Sequence, residues 1–144
     1  VRFLENLRWY LDQPVVPYAD ERFDYPCGMI GDVEIRFNHY KTFEEAAAKW
    51  EERKKRIDWD NLFIIGIDGD ECTYESLCRF NALPYEHKVI FTHKPYPEFS
   101  CAHYIPGFED QEGVYRITDF TGGRSIRRHM DHFDYVSFLN GKRK

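Results

Sequence analysis

Residues 61–72, with the sequence NLFIIGIDGDEC, constrain the fold more than any other stretch of the chain. Positions 62–67 form an apolar run with no polar face, which is too short to make a helix of its own. We expect a strand that is buried on both faces, like the central strand of a parallel sheet. The sequence becomes polar directly after this strand, at the edge of the sheet where open α/β folds bind their ligands.

The patterns on both sides of this strand predict helices alternating with further strands. Apolar spacing predicts helices over residues 2–11, 43–57, 73–82 and 133–139, and strands over 33–37, 89–92, 101–105 and 113–117. Residues 14–26 resemble an irregular loop. A strand, a helix and a strand over 62–92 form a βαβ unit, which favours parallel pairing. The sequence therefore predicts a single α/β domain over residues 1–144, with a mostly parallel sheet and helices packed on it in a Rossmann-like three-layer arrangement.

Charge and composition exclude some broad classes of function. The net charge of −5 argues against nucleic acid, and against an anionic membrane, as a partner of the domain as a whole. No apolar run approaches the length that spans a bilayer, so we expect no membrane insertion. The four cysteines form no CxxC pair, and we expect reduced thiols and a cytoplasmic location.

Asp68 and Asp70 form an Asp-x-Asp pair directly after the strand over 62–67. Two carboxylates at this position can share a hard divalent cation such as Mg²⁺ or Mn²⁺. In transferases that use sugar nucleotides, a pair of this kind holds the metal that neutralises the diphosphate leaving group. The alternative interpretation is an acidic turn that is solvated and caps the following helix.

His93 and Lys94 follow the next predicted strand, over residues 89–92. Because parallel strands end at the same edge of a sheet, we expect His93 to face the same cleft as the two aspartates. An imidazole can act there as a general base or bind a phosphate, and Lys94 can supply a fixed positive charge. The alternative is that His93 anchors the proline-rich loop that follows.

Three further residues are weaker candidates for the site. Asp32 can add a carboxylate and His39 a second base, although each also fits a structural role beside the predicted strand over 33–37. Arg124 follows two glycines in a loop that can meet a phosphate. This loop lacks the spacing of a GxGxxG or P-loop motif.

Aromatic residues in the second half of the chain favour a different interpretation. They can form a surface that binds a glycan or a protein partner without catalysis. The candidates are Tyr96, Phe99, Tyr104, Phe108 and Tyr115. In this interpretation Tyr96→Ala weakens binding, whereas Asp68→Ala and His93→Ala leave it intact.

Several strings in this chain, taken together, resemble one bacterial family. They include GDVEI, HYK, WDN and THKPYPE, together with DGDECTYESL and HFDYVSFLNG. The chain resembles the uncharacterised family known as domain of unknown function nineteen-nineteen, whose members are often labelled exopolysaccharide or capsule biosynthesis proteins. The resemblance covers nearly the whole chain. It implies an α/β fold and a role beside glycosyltransferases in surface-polysaccharide assembly, but no established reaction or catalytic residues.

The sequence departs from the family pattern in two places. Family members carry a strand and an Asn-Cys-x-Gly-Gly-like loop ahead of the first helix, so we expect the N-terminal portion of the domain to be missing here. Members also tend to read Asp-Arg-Asp or Asp-Arg-Gly where this chain has Asp68-Gly69-Asp70. The resemblance therefore makes the second aspartate a less essential residue than its spacing suggests.

These observations favour two hypotheses from different classes. The first is a metal-assisted transferase that uses a sugar nucleotide or processes a glycan, with a metal at Asp68 and Asp70 and with His93 and Lys94 at a phosphate or an acceptor hydroxyl. The second is a non-catalytic module that binds a glycan or a protein partner of a polysaccharide assembly system. Metal-dependent hydrolysis at the same aspartates is a third interpretation.

Overall fold

A computed structural model describes residues 1–69 and 71–141 of the chain. The chain divides into two compact units, Val1–Asp60 and Asn61–Lys144. The described residues form one three-stranded sheet in each unit, antiparallel in the first and parallel in the second. The fold is therefore mixed α/β, as expected. The mostly parallel, Rossmann-like arrangement is not confirmed, because half of the described strands pair antiparallel, and a single domain over 1–144 stays a prediction.

The first unit combines short helices with an antiparallel sheet. Its elements are α1 (Arg2–Glu5), α2 (Leu7–Asp12), β1 (Val15–Tyr18), β2 (Cys27–Ile30), β3 (Val33–Arg36) and α3 (Phe43–Lys54). Strand β2 lies between β1 and β3. Buried side chains from the helices and the sheet form its interior: Leu7, Tyr10, Leu11, Cys27, Ile30, Phe37 and Ala46.

Two expectations for the first unit were wrong. The helix over residues 2–11 is split, because Asn6 has φ −129° and ψ 38°, outside the helical region. The segment predicted as an irregular loop contains β1, which includes Pro17. Proline cannot donate to a ladder, but β1 is an edge strand, where the missing donor is tolerated.

The second unit is built around the predicted βαβ motif. Its elements are β4 (Phe63–Ile67), α4 (Tyr74–Asn81), β5 (His87–Thr92), β6 (Ala102–Tyr104), a 3₁₀ helix (His129–His132) and α5 (Tyr135–Leu139). Strands β4 and β6 both pair parallel to β5, with α4 connecting β4 to β5. Thr73 caps α4, because its hydroxyl accepts a hydrogen bond from the backbone N–H of Ser76 at 3.1 Å. The strand predicted over residues 113–117 does not form.

The position of β4 in the sheet differs from the expectation. The central strand is β5, and β4 pairs only with β5 among the described residues. Ile65 and Ile67 are 46% and 51% exposed, so the prediction that both faces of β4 are buried was wrong. C-terminal aromatic residues such as Phe133 pack on Phe91 of β5. The buried core of this face comprises Val89, Phe91, Ile105, Phe108 and Val114.

Two smaller observations complete the description of the fold. Within residues 1–69 and 71–141, no helix is both long and apolar enough to cross a membrane. Cys27, Cys72, Cys78 and Cys101 are all free thiols.

Candidate active site

Two polar residues follow the neighbouring strands β4 and β5. Ile67 at the end of β4 pairs with Phe91 of β5, and the backbone N–H of Asp68 extends the ladder by donating to the Phe91 carbonyl at 2.9 Å. His93 comes directly after Thr92, the last residue of β5. The parallel register therefore brings Asp68 and His93 to the same edge of the sheet, at the carboxyl ends of the strands.

Asp68 and His93 form a buried hydrogen-bonded pair. The distance from Nδ1 of His93 to Oδ2 of Asp68 is 2.6 Å, and the backbone N–H of His93 donates to the same oxygen at 2.9 Å. The side chains of Asp68 and His93 are only 3% and 10% exposed. Two contacts from one residue to one oxygen hold the imidazole in a single orientation relative to the carboxylate.

The remaining oxygen of Asp68 is bonded as well. The backbone N–H of Val114, itself fully buried, donates to Oδ1 at 2.9 Å. Asp68 therefore accepts hydrogen bonds from three N–H groups, which is how a buried carboxylate is commonly stabilised without a cation. The residue is a built-in acceptor that connects the ends of two strands to a distant loop.

This arrangement determines which nitrogen of His93 is available for chemistry. A carboxylate beside Nδ1 keeps the proton on that nitrogen, which leaves the lone pair of the neutral ring on Nε2. Among the described residues, Nε2 of His93 has no hydrogen-bond partner. It is not one of the fully buried polar atoms without a partner, so it retains some exposure. The ring can thus accept a proton at Nε2 while Asp68 stabilises the resulting imidazolium, the division of labour found in His–Asp catalytic pairs.

The loop between β4 and α4 is strained beside the pair. Glu71 has φ 63°, in the left-handed region that non-glycine residues seldom adopt. Such strain often accompanies a functional site. Burial, and secondarily the negative charge of Asp68, raise the pKa of the Cys72 thiol. Cys72 is therefore a neutral thiol at pH 7 rather than an activated nucleophile.

An aromatic cluster lies close to the pair. The ring centroids of Tyr74, Tyr96 and Phe99 are 5.3 to 6.3 Å apart, and Tyr74 is 56% exposed. Burial raises the pKa of Tyr96, and the charge of Asp68 adds to this effect, so Tyr96 lies within electrostatic range of the carboxylate. The cluster offers a partly exposed aromatic surface, one member of which is within electrostatic range of Asp68.

The other aromatic candidates have different surroundings. Phe108 is buried and packs against the ring of His129 at 4.5 Å. Tyr115 packs against the core of the second unit. Tyr104 donates a hydrogen bond to Glu109. Only Tyr96 and Phe99, of the five predicted residues, belong to the cluster beside the pair.

The structure places the remaining candidates in different settings. Lys94 is exposed next to His93, and its carbonyl accepts a hydrogen bond from Thr92 at 2.8 Å. Arg124 lies exposed in a turn after Gly123. Asp32 and His39 both belong to the first unit, where His39 is exposed in the turn after β3.

Asp32 is already engaged by two groups of its own unit. Tyr10 donates to Oδ1 and Arg2 to Oδ2, each at 2.6 Å. The hydrogen bond from Tyr10, together with the positive charge of Arg2, lowers the pKa of the Asp32 carboxyl. Asp32 is therefore part of a hydrogen-bond network on the surface of the first unit.

The proposed metal pair stays a prediction. Asp70 lies outside the described residues, so nothing is said of its side chain. No group of three or more His, Cys, Asp or Glu side chains is placed to hold a metal ion in the described part of the chain. The three N–H groups on Asp68 leave this carboxylate poorly disposed to bind a cation.

A cavity of about 410 Å³ lies away from the pair. Its lining includes His87 and Lys88 at the amino end of β5, and also Phe133 and Phe138. Neither Asp68 nor His93 is part of this lining. The pair is the stronger candidate site, because a buried carboxylate that orients an imidazole has a specific chemical use whereas a cavity by itself does not.

Residues 1–140 match the family described as "Domain of unknown function (DUF1919)". The chain belongs to this family. The predicted resemblance is thus confirmed. A relative from Haemophilus influenzae, named "Uncharacterized protein", is 44% identical over 140 residues, which cover 97% of this chain and 67% of the relative.

Sequence reasoning missed two parts of the site in this DUF1919 chain. One is the backbone N–H of Val114. No sequence pattern predicts its role, because almost every residue carries a backbone donor. The other is Gly113, where a Cβ atom would come within 2.1 Å of the Asp68 carbonyl oxygen. The available signal is a glycine followed by valine in a polar stretch, which instead predicts the start of a strand.

Proposed function

We propose that this DUF1919 chain is an enzyme of surface-polysaccharide assembly, in which His93 is the general base for a hydroxyl group of a sugar or glycan acceptor. The observation that carries the proposal is the 2.6 Å contact between His93 Nδ1 and the buried Asp68 carboxylate. A general base is most effective when its tautomer and orientation are fixed before the substrate arrives. The polysaccharide context comes from the family resemblance and is part of the proposal.

The reaction we propose is glycosyl transfer from a sugar nucleotide. The acceptor oxygen forms a bond to the anomeric carbon, and the bond from that carbon to the diphosphate oxygen breaks. The proton of the acceptor hydroxyl passes to Nε2 of His93, while Asp68 stabilises the imidazolium through Nδ1–H. The diphosphate leaves with the bonding electrons, and the exposed ammonium of Lys94 is the nearest candidate in sequence to interact with it.

The proposed step needs no metal at Asp68. The Asp68 oxygens accept hydrogen bonds from N–H groups of His93 and Val114, and these partners suit a carboxylate that positions the imidazole. A metal that neutralises the diphosphate, such as Mg²⁺ or Mn²⁺, would have to be held elsewhere in the complete site. The Asp70 carboxylate stays a candidate ligand from the sequence alone.

The aromatic cluster supports a sugar as the bound group. Sugar rings present C–H faces that pack on aromatic side chains, and an exposed tyrosine adds a hydroxyl for hydrogen bonding. Tyr74 and Tyr96 supply these features, and the Tyr74 hydroxyl contacts Glu98 at 3.2 Å. The same cluster favours the second candidate function, a glycan-binding module without catalysis.

The experiment compares single substitutions that separate these candidates. Release of nucleoside diphosphate from a panel of sugar nucleotides is measured for the wild-type protein and for His93→Gln, Asp68→Asn and Tyr96→Ala. The control is His39→Gln, an exposed histidine of the first unit. We expect His93→Gln to lower turnover by about 10²- to 10⁴-fold, the usual contribution of a general base.

Two outcomes decide between the candidates. If His93→Gln turns over as fast as the His39→Gln control, the catalytic proposal fails. If the wild-type protein binds a glycan without turnover, and only Tyr96→Ala weakens that binding, the non-catalytic module is correct. Retention of the wild-type far-ultraviolet circular dichroism is required of each variant.

A further inference from the structure

Residues 119–128, which we name the arginine loop, form a hairpin in the second unit that is closed by hydrogen bonds. Phe120 and Arg128 form an antiparallel bridge, and the backbone N–H of Thr121 donates to the Arg127 carbonyl at 2.9 Å. The Thr121 hydroxyl also donates to the Ser125 hydroxyl at 2.9 Å. The tip of the loop is therefore held by both backbone and side-chain hydrogen bonds.

The arginine loop presents two apolar side chains to solvent, Ile126 near its tip and Phe120 at its base. Ile126 is 89% exposed and Phe120 is 56% exposed. A protein gains nothing by holding an isoleucine at this exposure in water, because the burial of apolar area is the main favourable term in folding. Since the backbone around Ile126 is hydrogen-bonded, its exposure belongs to the folded hairpin.

Cationic groups surround these apolar side chains. The loop contains Arg124, Arg127 and Arg128 against the single acid Asp119, whereas the whole chain has a net charge of −5. All three arginines are exposed, and within the described residues no carboxylate is paired with the side chain of Arg124 or Arg127. At physiological ionic strength charges act over about 8 Å, so the loop interacts as a local cationic patch despite the acidic remainder.

We infer that the arginine loop docks the protein on an anionic phospholipid surface. Guanidinium groups bind lipid phosphates, and Ile126 and Phe120 partition into the apolar layer just below the headgroups. A nucleic acid or an acidic protein would match the arginines, but a nucleic acid offers no apolar phase for a projecting isoleucine. Docking of this kind is peripheral and requires no membrane-spanning segment, and it does not depend on the reaction proposed for His93.

The test measures flotation of the protein with vesicles of phosphatidylglycerol and phosphatidylcholine, and with vesicles of phosphatidylcholine alone. We expect binding only to the anionic vesicles, and we expect it to weaken as salt is raised. The double variant Arg124→Glu/Arg127→Glu should bind more than tenfold more weakly, because each arginine near such a surface accounts for roughly a fivefold change. Ile126→Ser should weaken binding at every salt concentration.

Two controls make the result specific to the loop. The variant Arg53→Glu/Lys55→Glu changes the charge by the same amount on exposed positions in and directly after α3, and it should bind as the wild type does. Lys142, Arg143 and Lys144 form a second basic stretch in the sequence, so their triple alanine variant is measured as well. We expect this variant to retain most of the binding.

Three results would overturn the inference. The first is equal binding of the loop variant and the α3 control, and the second is loss of binding in the triple alanine variant alone. The third is failure to bind either vesicle, with or without capture of a single-stranded oligonucleotide or of polyglutamate by the loop. Every substituted residue of the loop is exposed, so we expect the variants to fold. Unchanged circular dichroism then excludes misfolding as the cause of a loss of binding.

Discussion

Asp32 and Asp68 form similar hydrogen bonds, but they differ in their exposure to solvent. Each carboxylate accepts a side-chain hydrogen bond at 2.6 Å, from Tyr10 in the first unit and from His93 in the second. The Asp32 side chain is 60% exposed, whereas the Asp68 side chain is 3% exposed. Solvent screens the first pair and is excluded from the second, so distance alone does not identify a functional carboxylate. Burial with complete hydrogen bonding is the property that separates them.

The largest expected effect comes from Asp68→Asn. The amide replaces a buried carboxylate that accepts three N–H hydrogen bonds and can place an NH₂ group against those donors, so we expect the free energy of unfolding to fall by about 3 kcal/mol. Urea denaturation followed by circular dichroism measures the change. The matched variant Asp32→Asn should have a much smaller effect, and equal effects would remove the distinction between the two aspartates.

A smaller effect is expected from Gly113→Ala. The added methyl group would lie 2.1 Å from the Asp68 carbonyl oxygen, so the loop that supplies the Val114 N–H has to move. We expect a loss of about 2 kcal/mol, as in other overpacked sites. Gly69→Ala is the control, because its methyl group would meet only Ile67, at 3.8 Å. Similar stabilities of the two variants would show that the approach of Gly113 is not tight.

The helix caps allow a matched comparison between the two units. Thr73→Ala removes the cap of α4 beside the site, and Thr42→Ala removes the cap of α3 in the first unit. We expect each to cost about 1 kcal/mol by circular dichroism. All three tryptophans lie in the first unit, so tryptophan fluorescence reports directly on Thr42→Ala. A cap variant as stable as the wild type would contradict the assigned hydrogen bond.

The smallest effect is a pH dependence at an exposed acid. The hydrogen bond from Tyr104, followed by that from the Gly107 N–H, lowers the pKa of Glu109 from 4.5 to about 2. Because the pKa is lowered in the folded state, the stabilisation is present above pH 4.5 and is lost as the pH falls towards 2. Glu109→Gln should flatten the stability curve in this window. Glu112→Gln, at an exposed position of the same loop, serves as the control.

In the second unit, the order of elements along the chain was predictable from the sequence, but the order of strands across the sheet was not. The βαβ motif and the cap at Thr73 depend on neighbouring residues, and both were predictable. Strand order depends on contacts between distant segments, so the apolar run of β4 did not reveal that Ile65 faces solvent. In the first unit, Pro17 obscured β1 for the same reason, because only pairing partners determine whether a missing N–H is tolerated.

The candidate site was also predictable only in part. Asp68 and His93 were identifiable because both follow predicted strands that pair in parallel, and the structure brings them into contact. The donor from Val114 was not identifiable, because it lies on a loop 46 residues further along the chain.

The bond between Asp68 and Val114 has a consequence for protein synthesis. The carboxylate acquires its last donor only when the polypeptide has been translated beyond residue 114. A nascent chain that pauses on the ribosome before that point lacks this donor, and its aspartate has to rely on water in place of the missing amide. Completion of the hydrogen bonds around Asp68 therefore requires the segment that contains Val114 to have been synthesised.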